Sequence, residues 1–285
     1  MAVASIAVPT RAQRQKRTGA GRALATLSRR RFALSARTPR EIIVPLVNPV
    51  VFALVIAPAL SKVIGSFRPG LDYVSFVAIG TIGLLVPINT MFAGLGVLVD
   101  RASGAQRELI AAPVPRSYLV FGNLSVALAT TSLQVVALIG FALLRGAHFS
   151  ASSTGILWFV AAVLLFAIGS YGVAETLANR MPTQEEYIGV VPAVAILPWF
   201  FAGSLFPLST LPRGLAAFAR ALPLTHALAL MRYGLGVDRL GVGLHDIWGM
   251  TNVQVMAGLS LLAVALFAVA FTVLSVRVFS RSALR

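Results

Sequence analysis

Asp100-Arg-Ala-Ser-Gly-Ala-Gln-Arg-Glu-Leu-Ile-Ala-Ala-Pro-Val-Pro-Arg116 is the stretch on which the reading of this chain turns. A long apolar run stops at Val99, just before it, and another starts at Tyr118, just after it. The chain therefore leaves an apolar medium, turns in water and goes back. Five side chains of the stretch are charged: Asp100, Arg101, Arg107, Glu108 and Arg116. Gly104 supplies a turn, and Pro113 and Pro115 close off any helix that begins nearer Gln106. The pattern predicts a small amphipathic helix held against a membrane face, offering both signs of charge to a partner. A solvated loop whose arginines only set topology is the plainer alternative.

The composition around this loop agrees with a membrane setting. Of 285 residues, 58% are hydrophobic and 12% charged, with a mean hydropathy of +0.86. Soluble domains carry about 25% charged residues. The deficit, together with repeated apolar runs, marks an integral membrane protein. The chain has no cysteine, which excludes disulfides, thiolate metal sites and a cysteine nucleophile. The formal net charge of +15 resembles a nucleic-acid signal, but its distribution does not. Ten of the 24 basic residues fall in the first 40 positions, and most of the others flank apolar runs.

Six apolar runs predict six spans, at 42–60, 73–99, 118–144, 155–174, 188–207 and 253–276. Each is near the ~20 residues that cross ~30 Å of hydrocarbon. Residues 1–21 are basic and small, and are expected to form a disordered cytoplasmic tail. Residues 22–285 form one transmembrane domain. From Gly21 to Arg40, Leu24, Leu27, Phe32 and Leu34 interleave with Arg22, Arg29, Arg30, Arg31 and Arg37. That interleaving suits a helix lying in the membrane interface, its arginines reaching for phosphates. More basic tail is the alternative.

With an even number of spans, both termini share one side. That side holds seventeen basic residues against seven on the other, so the positive-inside rule places both termini and the Asp100–Arg116 loop in the cytoplasm. Between spans five and six, Pro207, Pro212 and Pro223 break two apolar pieces too short to cross. They are expected to be short helices dipping into the outer leaflet, with a folded outer loop as the alternative. Glu41 and Glu175 fall at span ends: an ionisable group at membrane depth is a functional candidate, with solvation or pairing with Arg40 or Arg180 as the plainer reading. Asn48, Asn89, Thr90, Phe200 and Phe201 are candidates to line a transport path; core packing explains the aromatics equally well.

Enzymatic readings fare poorly. A phosphate-binding loop needs Gly-Lys followed by Ser or Thr, and no Gly-Lys occurs in the sequence. A serine–histidine pair can be imagined from Ser204 and His226, but serine among small residues in a membrane helix is ordinarily a packing residue. His148, His226 and His245 are too widely spaced to suggest a metal site.

Three segments carry a family resemblance. Asp100 to Pro113 is similar to the cytoplasmic loop of type-2 ABC exporter permeases, the class that includes daunorubicin-type drug-resistance permeases. Leu197-Pro-Trp-Phe-Phe-Ala-Gly-Ser-Leu-Phe-Pro-Leu-Ser-Thr-Leu-Pro212 is similar to the signature that precedes that family's outer re-entrant helices. Leu222-Pro-Leu-Thr-His-Ala-Leu-Ala-Leu-Met-Arg232 is similar to its "NPLTY…R" segment, with Leu222 where Asn is usual and His226 where Tyr is usual. Asp100 stands where Glu is common. The resemblance runs over roughly 22–280.

It implies an all-α polytopic membrane protein: six transmembrane helices, an N-terminal amphipathic interface helix and short outer re-entrant helices between spans five and six. It also implies a second permease copy, as a homodimer or a paired paralogue, and a cytoplasmic ABC ATPase that carries ATP and Mg, with no cofactor in this chain. Asp100, Arg101, Gly104, Arg107, Glu108, Leu109 and Pro113 would then couple to the ATPase, and Arg29, Arg30, Arg31 and Phe32 would belong to the interface helix. The cargo would be a drug-like or lipid amphiphile, or alternatively a lipid-linked polysaccharide, exported across the cell membrane.

Overall fold

A computed structural model describes residues 20–37, 47, 51, 72–111 and 115–282. The span expected at 42–60, with Glu41 and Asn48, lies outside the described residues but for 47 and 51; so do Pro113 and nearly all of the N-terminal tail.

The described residues form helices and connections. α1 covers Ala20–Arg37, α2 Tyr73–Ala102 and α3 Ala105–Ala111. α4 covers Ser117–Leu144, α5 Ser153–Ala178 and α11 Val253–Ser282. In lipid every backbone N–H and C=O must find a partner inside the protein, and a helix does this within one segment. α2, α4, α5 and α11 are long and apolar enough to cross a membrane. They match spans two, three, four and six, extended by a few residues at their ends. Side-chain caps fix the first turns of α2 and α5. The Asp72 carboxylate accepts the Ser75 N–H at 3.2 Å, and Ser152 Oγ accepts the Gly155 N–H at 3.0 Å.

α5 is the hub, packed against α11, α2 and α9 (Pro223–Gly234). Its buried face is rich in small residues, including Ala162, Ala167, Gly169, Gly172 and Ala174, set between Phe159, Phe166 and Tyr171. Lipid tails are as apolar as leucine, so helices in a membrane gain from close contact rather than from escaping water. Phe267 and Phe271 of α11 fill the space where side chains at Gly169 and Gly172 would stand.

The fifth span departs from the expectation of one helix over 188–207. Instead, α6 covers Gln184–Val191, a π-helical turn covers Pro192–Ile196, and α7 covers Leu197–Phe201. Pro192 and Pro198 have no N–H to give to the preceding turn. The ladder slips by one residue, and the Leu197 N–H bonds to the Pro192 carbonyl. The helix then ends, and Gly203 turns the chain with φ +77°.

Two short helices follow the turn at Gly203. α8 covers Arg213–Ala221 and meets α9 at a bend of 84°. Leu222 is extended at the break, and Pro223 opens α9, where its missing N–H costs nothing. α10, Val242–Trp248, was not anticipated; Gly241 and Gly249, both with positive φ, bracket it. Seven residues carry too little periodicity to reveal a helix.

Candidate functional site

α3 sits at one end of the bundle, here the α3 end, between α2 and α4. α2 stops when the Ser103 N–H bonds back to the Val99 carbonyl at 3.0 Å. Gly104, at φ +81°, then redirects the chain, and the Arg107 N–H bonds to the Gly104 carbonyl to start α3. On α3, Arg107 and Glu108 are exposed. Glu108 lies in the first turn, where a carboxylate complements the helix dipole. Leu109 and Ile110 face inward, against a cluster with Leu119, Leu124, Phe279 and Leu27. The two charged side chains are thus presented by a helix whose apolar side is anchored.

The other charges of the loop are tied into the protein. Arg101 donates to the carbonyls of Ala178, Met181 and Pro182, clasping the connection after α5. Asp100 pairs with Arg30 at 3.6 Å and Arg31 at 3.7 Å, which joins α1 to the end of α2. The Arg31 guanidinium lies over Gly96, in space any side chain there would fill. Ser125 donates to Ser28 at 2.8 Å, holding α1 on α4. Arg116 donates to the Ser280 carbonyl at 2.8 Å, joining α4 to α11. Arg29 and Phe32 are exposed on α1.

The candidate path residues fall in different surroundings. Asn89 is buried and donates to Thr131 Oγ1 at 2.5 Å, while Thr90 is buried and donates to the Pro87 carbonyl at 3.0 Å. Phe200 is exposed beside Trp199, and Phe201 packs edge-on to Phe218 of α8. The imagined Ser204–His226 pair does not form. His226 Nδ1 faces Ser260 Oγ at 3.3 Å and Nε2 the Arg220 carbonyl at 2.9 Å. His148 lies by Asp72 instead, at 3.6 Å.

Two ionisable residues are buried, Glu175, one of the span-end candidates, and Arg232, which the sequence did not single out. Glu175 is neither solvated nor paired with Arg180. It is 1% exposed, the Tyr171 hydroxyl donates to its carboxylate at 2.6 Å, and Asn179 donates to it at 3.2 Å. Arg232 counts in the sequence as one more loop arginine, yet it is 5% exposed. It donates to the carbonyls of Gly203 at 2.9 Å and Ser204 at 3.0 Å, and it stacks on Phe76 at 3.5 Å. It thereby holds α9 to the turn after α7 and to α2. The available signal was an ionisable residue closing the apolar run Ala227–Met231.

Comparison with known proteins bears on the same region. A protein of Porphyra purpurea named transport permease ycf38 is 24% identical over 210 residues, which cover 73% of this chain and 72% of that one. ABC transporter G family member 20 of Dictyostelium discoideum is 26% identical over 185 residues, 64% of this chain but only 24% of that protein. Residues 22–235 match the family described as ABC-2 type transporter, a stretch that runs from α1 to α9 and holds α3, Glu175 and Arg232; the chain belongs to that membrane family.

Proposed function

We propose that this chain is the membrane-spanning subunit of an ATP-driven exporter, and that α3 is the seat of its ATPase. The observation that carries the reading is a short helix offering Arg107 and Glu108 to solvent while Leu109, Ile110, Arg101 and Asp100 fix it to the bundle. A partner pressing on such a helix moves the ends of α2 and α4 directly, so a push is passed on rather than absorbed. Mixed exposed charge sets register and partner choice more than affinity. The interface role of α1 follows from its pairing with Asp100.

The ATPase supplies the ATP and Mg, since this chain has no phosphate loop. The rest of the reading is a second permease copy completing the transporter, a location in the cell membrane with both termini in the cytoplasm, and α8 and α9 as a re-entrant pair on the far side. The proposed cargo is a drug-like or lipid amphiphile, moved out of the cytoplasm. The test is co-purification of the ATPase with transport in vesicles. Wild-type chain should carry the ATPase and drive uptake, and Glu108→Arg should lose both while inserting normally. Stoichiometric ATP binding by this chain alone would sink the reading.

A further inference from the structure

At the end of the bundle opposite α3, a cavity of about 360 Å³ opens between the α4–α5 connection, the first turns of α5, the end of α9 and the start of α11. Ser150, Ser152, Thr154, Trp158, Tyr233 and Arg239 line it. Its floor is fixed backbone, because α5 and α9 cross at Gly155 and Gly234, and a side chain on either would strike the carbonyl of the other.

Arg239 is the cation of this cavity. Its Nε donates to Ser150 Oγ at 2.9 Å, and the Ser150 hydroxyl donates on to the Gly236 carbonyl at 3.2 Å. That relay holds the guanidinium in place through Nε and leaves the Nη groups outside it. The neighbouring carboxylate is committed elsewhere: Asp238 accepts the N–H groups of Val242 at 2.9 Å and Gly243 at 2.7 Å. Among the described residues no carboxylate lies within the 4.0 Å pairing distance of Arg239. Ser152 and Thr154 add hydroxyls 3.1 Å apart. Trp158 and Tyr233 are half-buried at the level where α5 and α11 begin, and such rings favour the headgroup zone of a bilayer.

We propose that this cavity binds the phosphate of a polar group, with Arg239 supplying a planar pair of donors. The hydroxyls of Ser152 and Thr154 bond the remaining oxygens, and Trp158 and Tyr233 form the apolar wall. The position favours the headgroup of an anionic lipid, and a water-borne phosphate ester would use the same contacts. The inference does not rest on the direction or cargo of transport.

The full-length chain, delipidated in detergent, would be titrated with phosphatidylglycerol, phosphatidylcholine or glycerol 3-phosphate, with bound molecules counted by native mass spectrometry. Wild type should retain phosphatidylglycerol over phosphatidylcholine. Arg239→Gln should weaken phosphatidylglycerol about tenfold, as loss of a charge-assisted hydrogen bond does. Arg239→Lys should restore part of it, and Arg213→Gln, an exposed cation of α8 at the same end, should change nothing. Displacement of the lipid by glycerol 3-phosphate would identify a water-borne ligand, and failure to displace it a lipid site. Unchanged lipid retention by Arg239→Gln, or an equal loss in Arg213→Gln, overturns the proposal.

Discussion

Glu175 and Arg232 are both buried ionisable side chains in a membrane helix bundle, near opposite ends, and they are held in opposite ways. Glu175 is satisfied by Tyr171 and Asn179, one turn to either side on the same helix. Arg232 is satisfied by the carbonyls of Gly203 and Ser204, which belong to a turn far away in sequence. The first arrangement could exist in an isolated α5. The second exists only once α2, α7 and α9 have met. The α3 end is thus assembled from helices joined by charge pairs and by an arginine that reaches the carbonyls of the next turn. The opposite end is assembled around a cation that no single helix can shelter.

The largest effect should follow from breaking the tertiary clamp. Arg232→Met leaves the Gly203 and Ser204 carbonyls buried without their donor and should cost about 3–5 kcal/mol, the range for removing one member of a buried charged network. Thermal unfolding in detergent would show it, and Arg232→Lys should recover only part. At the α3 end, Glu108→Arg should leave that unfolding curve unchanged, because the side chain is exposed. It should weaken ATPase association by about 2–5 kcal/mol, read by co-purification. Normal association in this variant would remove α3 from the coupling role.

Glu175 sharpens the comparison. Glu175→Leu strands the Tyr171 hydroxyl and should cost about 1–3 kcal/mol, whereas Glu175→Gln keeps an acceptor and should be close to neutral. Equal losses would mean that the charge itself is held by something beyond α5. Asp100→Asn should cost about 1–3 kcal/mol, since Arg30 is half in water but Arg31 and Asp100 are both largely covered. Limited proteolysis within α1 reads its loosening.

The smallest effect concerns pH. Burial alone would raise the Asp72 carboxyl, but hydrogen bonds from the Ser75 hydroxyl and from the backbone N–H groups of Ser75 and His148 outweigh it and hold the carboxyl below its ordinary 3.8. A depressed folded value means the stabilisation is complete above the unfolded value and is lost as pH falls through the folded one. Asp72→Asn should therefore flatten the acid limb of the stability profile below about pH 4, and leave its neutral part parallel to wild type.

Much of the fold could be read from hydropathy. The runs at 73–99, 118–144, 155–174 and 253–276 became α2, α4, α5 and α11, because a run that long in lipid has no other way to pair its backbone. The α3 helix was legible from Gly104 and the prolines beyond it. The π-turn at Pro192–Ile196 was not, although the prolines that cause it were visible: where a broken ladder re-forms depends on what packs beside it. The cap that starts α5 at Ser153 and the helix at Val242–Trp248 rest on single hydrogen bonds and glycine turns, too local for a periodicity to register.

The sequence by itself determined that this chain lies in a membrane, where most of its helices begin and end, and that one mixed-charge loop stands apart from the rest. Those outcomes depend on neighbouring residues alone. Tertiary structure decided which charges remain available. Asp100 and Arg101 look as free as Glu108 in the sequence, yet α1 and the turn after α5 claim them. Arg232 looks as wet as Arg239, yet one is sheathed in carbonyls and the other lines an open cavity. The reason is physical: a charge is stabilised by whatever dipoles reach it, and in both cases those dipoles come from residues many positions away.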